Sequence, residues 1–114
     1  MTDARLPAHL EAASLLRRAQ SAGGFGTIIA KGDRDRGALI LLIADRGTHI
    51  ACLERGLAPS GDYAWQAVGP ARAAAATEIS AWCAQRHDFD RDSWLIELDI
   101  PQPERFIAET TLIG

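Results

Sequence analysis

The chain has 114 residues, 12 basic and 15 acidic side chains, a net charge of −3 and an apolar fraction of 47%. That length fits one domain with its own core, over residues 1–114, and needs neither disulfides nor a metal as a staple. No apolar run approaches the ~20 residues of a membrane span, and the near-neutral charge argues against a nucleic-acid binder.

Residues 7–22 predict a helix. Pro7 suits its first position, and Leu6, Leu10, Ala13 and Leu16 recur at helical spacing, with Leu15 widening the stripe. Gly23-Gly24 ends it, because glycine accepts the left-handed conformation past a helix end. Four strand candidates follow. Residues 25–31 are rich in Thr and Ile. Residues 38–44 are apolar on both faces, as in a central strand covered on both sides, or by a helix and a partner chain. Residues 48–55 and 63–68 complete the set, the last with Tyr63, Trp65 and Ala67 on one face. The connections read as turns: a polar loop at 32–37 framed by glycines, Asp45-Arg46-Gly47, and Pro59-Ser60-Gly61 within 56–62. Short links imply antiparallel neighbours, so the four strands predict a meander.

Gly69-Pro70 opens a second helix to about His87, with Ala75, Ile79, Trp82, Cys83 and Arg86 along one stripe. Trp94, Ile96, Leu98 and Ile100 alternate with Leu95, Glu97 and Asp99, the pattern of a half-buried strand. Pro101 and Pro103 end it, and residues 104–111 predict a short helix anchored by Phe106 and Ile107. The order α-β-β-β-β-α-β, with a terminal helix, is α+β: a four-stranded antiparallel meander, two flanking helices and a fifth strand. Leu16, Ile29, Leu41, Ile79, Trp82, Trp94 and Ile96 are expected in the core, and core packing is the default for Trp65 as well.

Five segments carry a family resemblance: Leu15-Leu16-Arg17-Arg18-Ala19; Lys31-Gly32-Asp33; Gly37-Ala38-Leu39-Ile40; Gly61-Asp62-Tyr63-Ala64-Trp65; and the run from Phe89 to Asp99. In order and spacing, over roughly residues 5–100, they resemble the bacterial family known as domain of unknown function 1491. The chain departs from that pattern at Glu11, where members usually carry a tryptophan near the start of the first helix. It departs again at Arg91, where members often have a proline between two aspartates. The resemblance supports the fold and the boundaries, and implies no activity, because the family has none assigned.

The residues that carry chemistry form no set at catalytic or metal-ligand spacing. His49, Cys52, Cys83 and His87 are zinc-ligand types, but His49 and Cys52 are three apart on a strand and are expected on opposite faces. Asp88, Asp90, Asp92 and Asp99 imitate a calcium loop, yet Ser93 stands where the turn needs glycine. Gly23-Gly24-Phe25-Gly26 follows a helix, the reverse of a phosphate cradle. Cys83 and His87 are i,i+4 with no third group to orient them. The chain order is that of a restriction-type nuclease core, but Lys31 is the only lysine and belongs to no acid-x-Lys triplet.

Two functional expectations follow. The first is a small non-enzymatic module that binds a protein partner or its own copies, without metal, cofactor or membrane. The cytoplasm is its expected location, since residues 1–5 lack a basic then apolar leader pattern and two cysteines are too few for a disulfide framework. The alternative is a small enzyme or ligand-binding domain for an anionic small molecule. Residues 1–57 carry a net +2 against −5 for residues 58–114. Arg17, Arg18, Lys31, Arg34 and Arg36 would form an anion-binding rim if the first helix ended beside the 32–37 loop.

Overall fold

A computed structural model describes the backbone of residues 6–57, 59–61 and 63–113, with the side chains of all of these except 56, 57, 63 and 111–113. The elements are α1 (Ala8–Ser21), β1 (Phe25–Ala30), β2 (Leu39–Asp45), β3 (Thr48–Leu57), β4 (Tyr63–Val68), α2 (Ala76–Phe89), β5 (Trp94–Asp99) and α3 (Pro103–Ile113). The class is α+β, with one five-stranded sheet of order β1-β5-β2-β3-β4.

The four-stranded meander is corrected. Only β2, β3 and β4 form one; β5 lies between β1 and β2, antiparallel to the first and parallel to the second. The physical reason is the connection from Lys31 to Ala38, which is long enough to step over a strand. It clasps the start of β5: the Asp33 N–H donates to the Asp92 carbonyl at 2.8 Å, and the Trp94 indole Nε1 donates to the Asp33 carbonyl at 2.8 Å. β2 is central, as its two-faced sequence predicts, with every residue from Leu39 to Ala44 buried.

The sheet carries helices on both faces. α1 packs on β1 and β5, and α3 on β4 and β2. Beneath them lies the larger core, with Leu41, Ile43, Leu53, Trp65, Trp94, Ile96 and Leu98. α2 covers the opposite face, over Ile40, Leu42, Cys52, Leu95 and Val68. Five strands span about 19 Å and a helix with its side chains about 10 Å. Two helices therefore cover the first face, while α2 alone covers only about half of the second.

Several side chains differ from expectation. α1 buries Ala8, Ala12, Leu15 and Ala19, while Leu6 and Leu10 are exposed. The small alanine face lets the helix sit close on the sheet, where the larger leucines do not fit. Leu16, Ile79 and Trp82 are half-buried and pack against the cores from their edges. Ile29, expected inside, is 49% exposed. The register explains it: Ile28 opposes Ile96 but Ala30 opposes Leu95, so Ile29 is the extra residue of a β-bulge on an edge strand. α2 starts at Ala76 rather than near Pro70, because Ala73 takes a φ of 64° and Ala75 is extended. The expected face of Tyr63, and Asp62 of the 56–62 turn, lie outside the described residues.

Candidate functional site

The uncovered half of the second face is a groove of about 490 Å³ between α2 and β1. Leu42, Ala44, Leu95 and Glu97 form its floor, Ile29 and Ala30 one wall, and Ile79, Ser80, Cys83, Ala84 and His87 the other. Gly47, His49 and Ala74 close one end. The α2 wall is low because Ser80, Cys83 and Ala84 are small and recur at helical spacing. Beyond the β1 wall the edge of the sheet is free of any strand among the described residues.

A second bulge aims the polar groups. Ile43 opposes Ala51 but Ala44 opposes His49, so Ile50 is an extra residue in β3. The expectation that His49 and Cys52 point to opposite faces is therefore corrected: the bulge turns both toward α2, with Sγ and Nε2 4.0 Å apart. His49 is buried and its Nε2 donates to the Pro70 carbonyl at 3.2 Å, while its own carbonyl accepts the Ala73 N–H at 2.8 Å. These bonds tie the approach to α2 onto β3. Among the described residues no group of three or more His, Cys, Asp or Glu side chains is placed to hold a metal ion.

The thiols are set against nucleophilic chemistry. Burial pushes Cys52 up to about 12, and the Cys83 charge adds to it. Cys83 is raised first by burial and then by the Glu97 carboxylate. No hydrogen bond joins Cys83 to His87 among the described residues, and His87 Nδ1 is buried without a partner. A thiol in the unfolded chain ionises near 9.0, whereas folded Cys52 holds its proton to about 12. The stability this confers is complete below pH 9 and is lost as pH rises through that window. The urea midpoint should therefore fall from pH 8 to pH 10, and fall less steeply in Cys52→Ala. An equal slope in both proteins would contradict the burial assigned to this thiol.

The residues of the expected anion rim are not brought together. The 32–37 loop packs on the N-terminus of α1: the Ala8 and His9 N–H groups donate to the Asp35 and Arg34 carbonyls at 3.1 and 2.9 Å. Arg17 and Arg18 lie nine residues further along α1, roughly 13 Å away at the helical rise. Arg18 donates to Thr110 Oγ1 at 3.3 Å and lies 4.6 Å over the Phe106 ring. Arg17 is exposed on α1, Lys31 just past β1, and Arg34 and Arg36 share the 32–37 loop. The acidic run is likewise taken up by backbone N–H groups: Asp90 accepts the Asp92 N–H at 3.1 Å, and Asp99 accepts the Arg46 and Gly47 N–H groups of the β2–β3 turn at 2.9 Å each. Gly23, with φ 94°, follows the end of α1 as the glycine pair predicts.

Glu97 is the groove residue that sequence reasoning passed over as part of a solvent-facing row. The signal was its neighbour Leu95, an apolar residue two places earlier on the same face. Its carboxylate makes no hydrogen bond or ion pair among the described residues, and no Lys or Arg lines the groove.

Residues 6–108 match the family described as "Protein of unknown function (DUF1491)". The chain belongs to this family. Among solved structures it is similar to a DUF1491 family protein from Caulobacter crescentus CB15. The crystal structure has a TM-score of 0.71 at 27% identity, covering 82% of this chain and 86% of that one. The NMR structure has a TM-score of 0.72 at 27% identity, covering 86% and 88%. A protein from A. tumefaciens shares the fold, with a TM-score of 0.66 at 23% identity over 86% of this chain and 88% of that one. Among curated proteins none matches. The resemblance read from the five sequence segments is thus the family itself, with the α+β fold it implied. No helix among the described residues is long and apolar enough to cross a membrane.

Proposed function

We propose that this DUF1491 protein is a non-enzymatic protein-binding module of the cytoplasm, which takes an extended segment of a partner along the β1 edge. The segment adds a strand to the sheet, and its alternate side chains enter the groove beside α2. Backbone pairing supplies affinity in this mode, and the groove supplies selectivity. The observation that carries the reading is the juxtaposition of a free sheet edge with an apolar groove of about 490 Å³ immediately beside it. Two free, buried cysteines fit a reducing compartment.

A foreign segment fits better than a second copy. The β1 strand of a second copy, Phe25 to Ala30, contains no charged side chain to answer Glu97, and Lys31 lies beyond its end. The anionic-ligand alternative has less support, because the arginines are spread over separate elements and the first N–H groups of α1 are already bonded.

The test uses a phage-displayed library of random nine-residue peptides. Selected peptides should shift the amide resonances of β1 and of α2 from Ile79 to His87. Ala84→Trp, which fills the groove from the exposed side of α2, should abolish binding while leaving the thermal midpoint unchanged. Peptides that bind Ala84→Trp as well as the parent would contradict the reading. So would self-association that Ile29→Lys removes, which would assign the edge to a second copy.

A further inference from the structure

We infer that the partner segment carries a lysine or arginine whose side chain crosses β1 over Thr27 and ends on the Glu97 carboxylate. This rests on the strand-addition reading above and names the chemistry that the same site selects.

Thr27 opposes Glu97 across β1 and β5, so the two side chains share the groove face of the sheet. A strand added outside β1 lies two strand spacings from β5, about 9.6 Å. A side chain at the position facing Thr27 must span most of that distance. A lysine or arginine reaches about 6–7 Å from its Cα, and the glutamate covers the remainder. Shorter polar side chains do not reach. The receiving charge is half-buried in a groove with no Lys or Arg in its lining, and it has no ion pair among the described residues.

The flanks of this path explain two exposed apolar residues. Phe25 lies two places before Thr27 on the same face and is 58% exposed; Ile29, at 49%, leans over the other side. They flank Thr27 on the edge strand and offer apolar surface to the methylene stem of a long cationic side chain. Such stems bury against apolar surface while the charged head reaches a polar partner, and the Phe25 ring adds a cation–π contact for the head or its approach. A carboxylate beside apolar surface selects a cation with an apolar stem, and rejects an acidic side chain by like-charge repulsion.

The experiment repeats the peptide selection on the parent protein, on Glu97→Gln and on Glu97→Lys, followed by fluorescence anisotropy with the best parent peptide. The parent should enrich lysine or arginine at one position. Replacing that residue by norleucine should weaken binding tenfold or more to the parent, and less than twofold to Glu97→Gln. Glu97→Lys should enrich aspartate or glutamate at the same position. Phe25→Ser, at an exposed site independent of Glu97, should weaken the parent peptide several-fold with the thermal midpoint unchanged. Peptides that occupy the groove without a basic residue, or whose basic residue is indifferent to Glu97→Gln, would overturn this inference and leave the strand-addition reading standing. If no selected peptide is blocked by Ala84→Trp, the strand-addition reading fails and this inference with it.

Discussion

Ile96→Ala is expected to lower the stability of the fold by about 2–5 kcal/mol, the range for truncating a fully buried aliphatic side chain. Ile96 has no solvent exposure and sits on β5 between Ile28 of β1 and Leu41 of β2. It lies in the core beneath α1, so its removal leaves a cavity that the close alanine face of the helix has few atoms to fill. Against a total of about 5–15 kcal/mol for a domain, that loss is severe. It should move the urea midpoint down by about 1–2.5 M at a slope of about 2 kcal/mol/M. The contrast is Ile29→Ala. Sequence pattern treats the two isoleucines alike, yet Ile29 stands on a bulge at the groove wall, and its loss should stay within about 0.5 kcal/mol. Equal costs for both would refute the register.

Gly32→Ala should also destabilise strongly, by about 1–3 kcal/mol or more, because it overpacks a backbone crossing. A Cβ at Gly32 would overlap the Asp92 carbonyl and the backbone of Ser93, not the end of a flexible side chain. Relieving that overlap pulls the loop away from β5. The Asp33–Asp92 backbone bond and the Trp94 indole bond would be lost with it. Gly37 meets the same Asp92 carbonyl from the other end of the loop. Both framing glycines thus permit one close passage. Arg34→Ala, in the exposed middle of the loop, should change the urea midpoint little. If Gly32→Ala were neutral by the same measurement, the loop would not clasp β5 as described.

Local pattern made most of the elements legible. The alternation from Trp94 to Ile100, the two-faced run from Leu39 to Ala44 and the glycines after α1 each act on near neighbours. The neighbour of β1 was not legible, since β5 is remote in sequence and reaches its place only after α2. The bulges at Ile29 and Ile50 were hidden for another reason. Each adds one ordinary residue with no glycine or proline to mark it, yet each reverses which face the following side chains meet. The second turned His49 and Cys52 together, against the simple period of two. The buried face of α1 was misread because alanines, weak in any hydrophobic pattern, outcompete leucines where a helix must sit close.

The candidate site was less visible still. A groove left by a helix that covers half a sheet has no motif of its own. Glu97 and Leu95 belong to the same alternating row, and only the position of α2 decides which of them meets solvent. The arginines, conspicuous in the sequence, fell apart because the 32–37 loop meets the N-terminus of α1 and not its far end.

Strand addition at β1 is decided by the structure of the protein with a selected peptide bound, by crystallography or by intermolecular NOEs. The bound peptide is expected to pair its backbone to β1 as a sixth strand, with a side chain in the groove beside Ala84. A peptide lying on the α1 and α3 face, or one that leaves the β1 edge unpaired, would contradict it.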